Sequence, residues 1–394
     1  MDLLKREISQ ELASMAKVYP VVTILGPRQS GKTTLARQLF PNKPYISLEN
    51  LDERALAEAD PKAFLAKFPD GVILDEIQRQ PQLLSYIQGI VDDTDAKGMF
   101  ILTGSHQLVL HESISQSLAG RTAVLKLLPF TISELSSGGI NLSLDEYLLH
   151  GMYPRLYKDK IHPTKFYRDY MQTYIERDVR QMLHIKDLTL FQHFLKLCAG
   201  RAGQIFNSHN LSNEVGVSHN TIRSWLSILE ASFLVFRLQP YYENFGKRIT
   251  KSPKLYFTDV GLATYLLDIS LDTQVARDPL RGNLVENLVI LECLKHCLNL
   301  GIEQSFYYYR DSNNNEVDLL VKIGSNLVPI EIKSSTTFTP EFLKNIGYFK
   351  AAAKERCPME FLVYSGEQEQ EIGSCHLINY KNIRKIFESL HRGL

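Results

Sequence analysis

Three groups of residues in this 394-residue chain combine side-chain type and spacing in a way that could support chemistry. The first is the run Gly26-Pro27-Arg28-Gln29-Ser30-Gly31-Lys32-Thr33-Thr34, a complete Walker A loop. Gly26 and Gly31 let the backbone curl until successive N–H groups point inward, a geometry that holds phosphate oxygens. Lys32 has the reach for the β- and γ-phosphates, and the Thr33 hydroxyl suits Mg²⁺. Gln29, Ser30 and Thr34 complete the phosphate-binding set. The second group is Asp75-Glu76, two carboxylates closing the apolar run Val72-Ile73-Leu74. Downstream of a Walker A loop, Asp75 is placed to hold Mg²⁺ through water and Glu76 to polarise an attacking water as general base. The third is Asp318 with Glu331 and Lys333. Alternation sets Asp318 opposite the apolar face of Val317, Leu319, Val321 and Ile323, and sets Glu331 and Lys333 opposite Ile330 and Ile332. Hairpin pairing across Gly324-Ser325-Asn326 brings the three together.

Periodicity gives the elements that must position these groups. Val21–Leu25 reads as a buried strand feeding the loop, with an amphipathic helix over residues 1–17 before it. Leu35, Ala36, Leu39 and Phe40 mark a helix after the loop, whose dipole faces the phosphates. A short strand at 44–48 and a helix over 52–68 separate the loop from the strand ending in Asp75. A helix over 82–91 and a strand over 99–105 follow. The carboxyl ends of strands line the ligand crevice in doubly wound sheets, so Thr103 or Ser105 is expected to touch the γ-phosphate or the water. A helix over 112–118 ends at Gly120. Arg121, exposed by position before a strand over 122–128, is the expected arginine finger, acting in cis or in trans.

Ser136-Ser137-Gly138-Gly139 reads as a linker, and helical patterns follow over 144–149, 165–183 and 190–199. Leu211–Ser218 followed by His219–Glu230 has helix-turn-helix form, with Gly216 at the turn and Ser218 as cap. Strands over 233–239 and 254–258, with Lys247, Arg248 and Lys251 in the loop between them, make this a winged helix. It would offer His219, Asn220 and Arg223 to a major groove and the wing to phosphates, or serve as a protein-contact module. Beyond Arg277-Asp278-Pro279 come a helix over 282–298, three strands, a helix over 340–353 and a strand over 360–364. The expected domains are therefore 1–135, 136–275 and 276–394.

Composition bounds the partners. The formal net charge is zero, so nucleic-acid contact must come from a local patch. The five cysteines lack a metal spacing, and Cys293 and Cys297, one helical turn apart, read as packed. No apolar run approaches the ~18 residues of a membrane span, and a cytoplasmic protein with no membrane contact is expected.

A strand and helix between the loop and Asp75, with a glutamate after that aspartate, resemble the AAA-type branch of P-loop ATPases. More narrowly, Gly26–Thr34, Leu74–Gln78, Leu102–Ser105, Leu118–Arg121, Leu128–Thr131 and Lys251–Asp259 resemble a bacterial and archaeal group of AAA ATPases. Members of that group carry a C-terminal domain of unknown function, number 4143. The resemblance covers nearly the whole chain and implies ATP and Mg²⁺ as cofactors. Separately, Asp318, the hairpin and Glu331-Ile332-Lys333 resemble the PD-(D/E)xK nuclease core. That resemblance implies Mg²⁺ held by Asp318 and Glu331 with the Ile332 carbonyl, Lys333 orienting or activating the water, and Glu286 as the first-helix acid. Asn313–Asn315 departs from its pattern, standing where many such nucleases place a proline. The expected fold is α/β: a doubly wound AAA-type sheet, a helical and winged-helix region, and a restriction-endonuclease-like α/β domain. The expected function is ATP hydrolysis coupled to a Mg²⁺-dependent nuclease-like domain acting on nucleic acid, DNA ahead of RNA. The alternative is a nucleotide-controlled switch that binds a protein partner through an inactive nuclease-like fold. Either reading is compatible with a homo-oligomer.

Overall fold

The computed structural model describes residues 4–105, 117–173, 187–242, 251–303 and 305–393. Five strands form a parallel sheet in the order β2-β3-β4-β1-β5: β1 (Val21–Leu25), β2 (Tyr45–Ser47), β3 (Val72–Asp75), β4 (Phe100–Gly104) and β5 (Thr122–Lys126). β1, β3 and β4 are buried along their whole length, as strands covered on both faces must be. Because every strand runs the same way, the loop after β1, Asp75 at the end of β3 and Ser105 after β4 meet at one edge.

Two local expectations are corrected. The helix expected over 52–68 is two helices, Leu51–Ala59 and Pro61–Ala66. Pro61 lacks the N–H that a continuous helix needs, and it opens the second helix while Asp60 accepts from the Ala63 N–H. The expected linker at 136–139 is largely the end of a helix, Ile132–Ser137, fixed by a reciprocal capping box between Thr131 and Glu134. Gly138 closes that helix against Leu4, whose Cδ2 would lie 1.9 Å from an added Cβ.

The remaining strands form one nine-stranded sheet in the order β13-β14-β12-β11-β10-β9-β7-β8-β6. Its members are β6 (Gln204–Ile205), β7 (Val235–Pro240), β8 (Lys254–Phe257), β9 (Ser305–Arg310), β10 (Glu316–Ile323), β11 (Asn326–Lys333), β12 (Glu360–Tyr364), β13 (Gln370–Ile372) and β14 (Cys375–Asn379). Helices Ser208–Val215 and His219–Ala231 flank Gly216, which takes the left-handed conformation with φ 78°. The antiparallel pair β7–β8 follows them. Lys247 and Arg248, most of the helix at 112–118, and residues 174–186 lie outside the described residues. β7 pairs in parallel with β9, Gln239 opposite Tyr307, so the sheet crosses the boundary expected near residue 275. One core runs across it as well, joining Trp225, Leu255, Leu288, Val321 and Ile332.

The 19-residue helix Arg281–Asn299 ties the two sheets together. Leu291 enters the core of the first sheet while Leu284 and Leu288 enter that of the second. Among the described residues, no helix is long and apolar enough to cross a membrane. All five cysteines are buried and free.

Strand β10 departs from simple alternation. Val317 pairs with Tyr309 and Leu320 with Tyr307, so Asp318 and Leu319 together face Tyr308 in a bulge. Val317 consequently packs with Leu320, Leu327 and Phe349, away from Leu319 and Val321, which join the larger core. The expected shared face is split there, and the bulge re-aims Asp318.

Candidate functional site

The phosphate loop is built from the back. An added Cβ on Gly26 would lie 2.1 Å from the Leu127 carbonyl oxygen, so only glycine fits where the loop leaves β1. Gln29 and Gly31 take positive φ, 62° and 96°, and curl the chain into the helix Lys32–Leu39. Arg6, 6% exposed, clamps the loop from behind. It donates to the Ser30 carbonyl at 2.8 Å, the Leu128 carbonyl at 2.7 Å and Glu134 at 3.0 Å. Ser30 is fully buried, its Oγ turned towards Gly26. Lys32 donates to the Gly26 and Pro27 carbonyls at 2.9 and 2.8 Å. Burial lowers its pKa against the opposing pull of Glu76 and Asp75.

The two acids at the end of β3 are held differently. Asp75 accepts from three hydroxyls: Thr33 at 3.0 Å, Tyr45 at 2.8 Å and Thr103. Thr103 also accepts from the Glu76 N–H at 3.2 Å, so one side chain on β4 fixes both acids. Glu76 sits in the left-handed conformation, φ 57°, its carboxylate accepting from Gln78 and, at 3.0 Å, from Ser105. Burial raises its pKa, but Lys32, Arg28 and these two donors outweigh it, and the group stays below its ordinary value. Glu76 is therefore ionised at neutral pH. Ser105, the donor to Glu76 at 3.0 Å, is itself fully buried.

A cavity of about 630 Å³ opens over the loop, lined by Gln29, Gly31, Lys32, Thr33, Thr34 and Glu76 on one side and by Phe130, Pro154, Arg155 and Lys158 on the other. The second wall was missed in the sequence. Its turn, Gly151–Pro154, reads as purely structural, yet it carries Arg155 and Lys158 to the cavity. The fully buried Asp259 anchors that turn, accepting from the Met152 N–H at 2.8 Å and the Tyr167 hydroxyl at 2.5 Å.

Arg121 is the clearest correction. The Val21 N–H donates to its carbonyl and Val21 pairs with Thr122, so Arg121 lies at the amino edge of the sheet. The loop is about 16 Å away along β1. Its guanidinium pairs with Asp92 at 2.8 Å. A finger acting in cis is contradicted.

In the C-terminal half the structure brings Asp318, Glu331 and Lys333 together. Asp318 accepts from the Ile332 N–H at 2.8 Å, and Lys333 donates to Glu331 at 2.6 Å. Burial raises the pKa of both acids, with Asp318 adding to the rise at Glu331 and Lys333 opposing it at each. Among the described residues, Glu331 Oε2 is buried and has no hydrogen-bond partner. Glu286 is not grouped with them as a third ligand: its Oε1 accepts from Lys254 at 2.9 Å and Tyr256 at 2.5 Å. Among the described residues, no three His, Cys, Asp or Glu side chains are arranged to hold a metal ion. Lysines occupy the space between the acids because these buried carboxylates need neutralising.

Comparison with known proteins fits this geometry. Residues 18–136 match an AAA domain, 141–273 the domain of unknown function DUF8612, and 281–383 the domain of unknown function DUF4143. The uncharacterized protein Rv2008c of Mycobacterium tuberculosis is 30% identical over 336 residues, covering 84% of this chain and 74% of that protein. The chain belongs to that protein's family. Another similar sequence is the uncharacterized protein MJ1637 of Methanocaldococcus jannaschii, 23% identical over 89% of this chain and 83% of its own length. Among solved structures, the Walker-type ATPase PABY2304 of Pyrococcus abyssi matches 67% of this chain and 96% of its own at 16% identity and TM-score 0.45. The chain carries an ATP-binding AAA domain of the P-loop type, followed by the DUF8612 and DUF4143 domains.

Proposed function

We propose that this chain hydrolyses ATP on the loop Gly26–Thr34 and passes the nucleotide state to its C-terminal half. The cavity shared by Lys32, Glu76, Pro154, Arg155 and Lys158 carries the reading, since a nucleotide on the loop also meets the segment behind it. The loop N–H groups and Lys32 bind the β- and γ-phosphates. Thr33 and Asp75 fit Mg²⁺, which would supply charge neutralisation between those phosphates. Ionised Glu76 takes the proton of the attacking water, held to its task by Gln78 and Ser105. Nucleotide-dependent movement of residues 151–159 reaches β8 through Asp259. Lys32→Ala should abolish ATP turnover in the purified protein; turnover at the wild-type rate would refute the assignment. A finger role for Arg121 in trans would need a neighbouring copy to displace its pairing with Asp92.

A second reading is cleavage of nucleic acid, DNA ahead of RNA, at Asp318, Glu331 and Lys333. The unpartnered Oε2 of Glu331 favours it. The helix His219–Ala231 would supply the contact through exposed Asn220 and Arg223. With Mg²⁺ or Mn²⁺ the protein should nick nucleic acid, and Glu331→Ala or Lys333→Ala should stop it. Cleavage that survives both changes removes this reading and leaves the alternative, a switch that binds a protein partner.

A further inference from the structure

Two adjacent residues near the start of the chain touch both the phosphate loop and the end of the molecule. Arg6 belongs to the loop: it donates to the Ser30 carbonyl at 2.8 Å, and its guanidinium stands 3.6 Å from where a Cβ on Gly31 would lie. The same guanidinium lies 4.9 Å from the ring centroid of Phe130, which lines the nucleotide cavity. Glu7 belongs to the C-terminal half. Its Oε1 accepts from Arg384, which opens the last helix, Arg384–Gly393, and from the Thr131 hydroxyl at 3.2 Å. Its Oε2 accepts at 3.3 Å from Asn299, the last residue of the helix Arg281–Asn299. Buried Glu134 locks the pair together: one oxygen accepts from Arg6 at 3.0 Å and from the Glu7 N–H at 2.7 Å. Arg6 and Glu7 therefore cannot move apart without leaving a buried carboxylate oxygen short of donors. The helix Arg281–Asn299 fixes the same corner, with Glu292 accepting from the Ile132 N–H at 2.8 Å and Lys295 donating to the Phe130 carbonyl at 2.7 Å.

The two ends of this joint differ in how easily they open. Arg6 and Glu134 are buried on both sides, and breaking that pair strands a charge. Arg384 is half-exposed, so its hold on Glu7 can be released into water at little cost. We propose that Glu7 and Arg384 are positioning residues for the nucleotide: acting through Arg6, they set the carbonyl at Ser30, so that the last helix and the phosphate loop respond to each other. The inference rests on the reading that ATP binds at Gly26–Thr34, and it adds a contact with the C-terminal half separate from the turn at 151–159. Coupling of this kind is reciprocal. If releasing the helix weakens nucleotide binding by some factor, bound nucleotide tightens the hold on the helix by the same factor.

The test pairs two measurements on the full-length chain: calorimetric titration with MgADP, and amide hydrogen exchange of residues 384–390 with and without saturating MgADP. In the wild-type protein nucleotide should slow that exchange about fivefold. Arg384→Ala should bind MgADP about fivefold more weakly, and its helix should no longer respond to the nucleotide. Arg384→Lys, which keeps the charge, should recover most of the affinity. A wild-type helix that ignores bound MgADP overturns the proposal. So does an Arg384→Ala protein that melts cooperatively and binds MgADP as tightly as wild type, or an equal loss in Arg384→Lys, which would assign the effect to packing. If Arg384→Ala does not fold, Glu7→Gln takes its place with the same expected losses, and wild-type affinity there overturns the proposal. The binding curve separates two failures: wild-type protein that takes no MgADP sinks the ATP reading and this joint with it, whereas tight binding with an indifferent helix sinks the joint alone.

Discussion

Asp75, buried at the end of β3, and Glu286, half-buried on the helix Arg281–Asn299, are held by opposite kinds of donor. Asp75 accepts from the hydroxyls of Thr33, Tyr45 and Thr103, which orient it and leave its negative charge intact. Glu286 accepts from the ammonium of Lys254, which cancels that charge. A carboxylate fixed by neutral donors is prepared for a cation that arrives with its ligand. One fixed by a lysine is already neutralised. The nucleotide site keeps its own cations off Asp75: Arg6 goes to Glu134 and the loop carbonyls, and Lys32 goes to Gly26 and Pro27.

That contrast can be broken or sharpened by substitution. The largest effect on stability belongs to Arg6, whose pairing with Glu134 is buried on both sides. Arg6→Ala leaves an uncompensated buried carboxylate and should cost about 3–5 kcal/mol in urea unfolding. A cost of a few tenths would show that the clamp behind the loop carries nothing. Next is Thr103→Val, which removes the donor to Asp75 and the acceptor for the Glu76 N–H. It should cost about 1–3 kcal/mol and raise the Mg²⁺ concentration needed for turnover; an unchanged Mg²⁺ dependence would separate Thr103 from the site.

The acid cluster should respond to pH near neutrality. Burial and Asp318 push Glu331 up to about 8 from an ordinary 4.5. Between those values the folded state keeps a proton that the unfolded chain has released, so stability falls as pH rises through the window. Glu331→Gln should therefore raise the melting temperature relative to wild type at about pH 8.5 and leave it nearly unchanged at about pH 5. An equal shift at both would show that Glu331 does not titrate in this range. The smallest effect belongs to Arg121: Arg121→Ala should leave turnover of the monomer unchanged, and a loss there would restore the finger in cis.

Much of this was readable from residue order. The Walker A run, Asp75-Glu76 and the strands before them are local signals, and each lies where periodicity places it. The approach of Asp318 to Glu331 and Lys333 also followed from hairpin pairing. What the sequence hid depends on distant contacts. Arg6 meets Ser30, Leu128 and Glu134 only after the helix Ser9–Val18 docks, and Arg155 and Lys158 reach the cavity through a turn anchored by Asp259, more than a hundred residues away. The bulge at Asp318 breaks alternation without a glycine or proline to announce it. Two signals were there to be used: Thr131 with Glu134 is a capping-box spacing, and Lys254 is a lone charge at the head of the apolar run Leu255-Tyr256-Phe257. Arg121 misled because its exposure was argued from a helix end, whereas the direction of β5 decides which edge it occupies.

The central claim is that Glu76, and not merely the loop, makes this chain an ATPase. Equilibrium ATP binding and steady-state turnover of Glu76→Gln, measured side by side on the same preparation, test it most directly. Affinity should stay within about threefold of wild type while turnover drops by about 10²–10³. Turnover that persists at the wild-type rate would contradict the account.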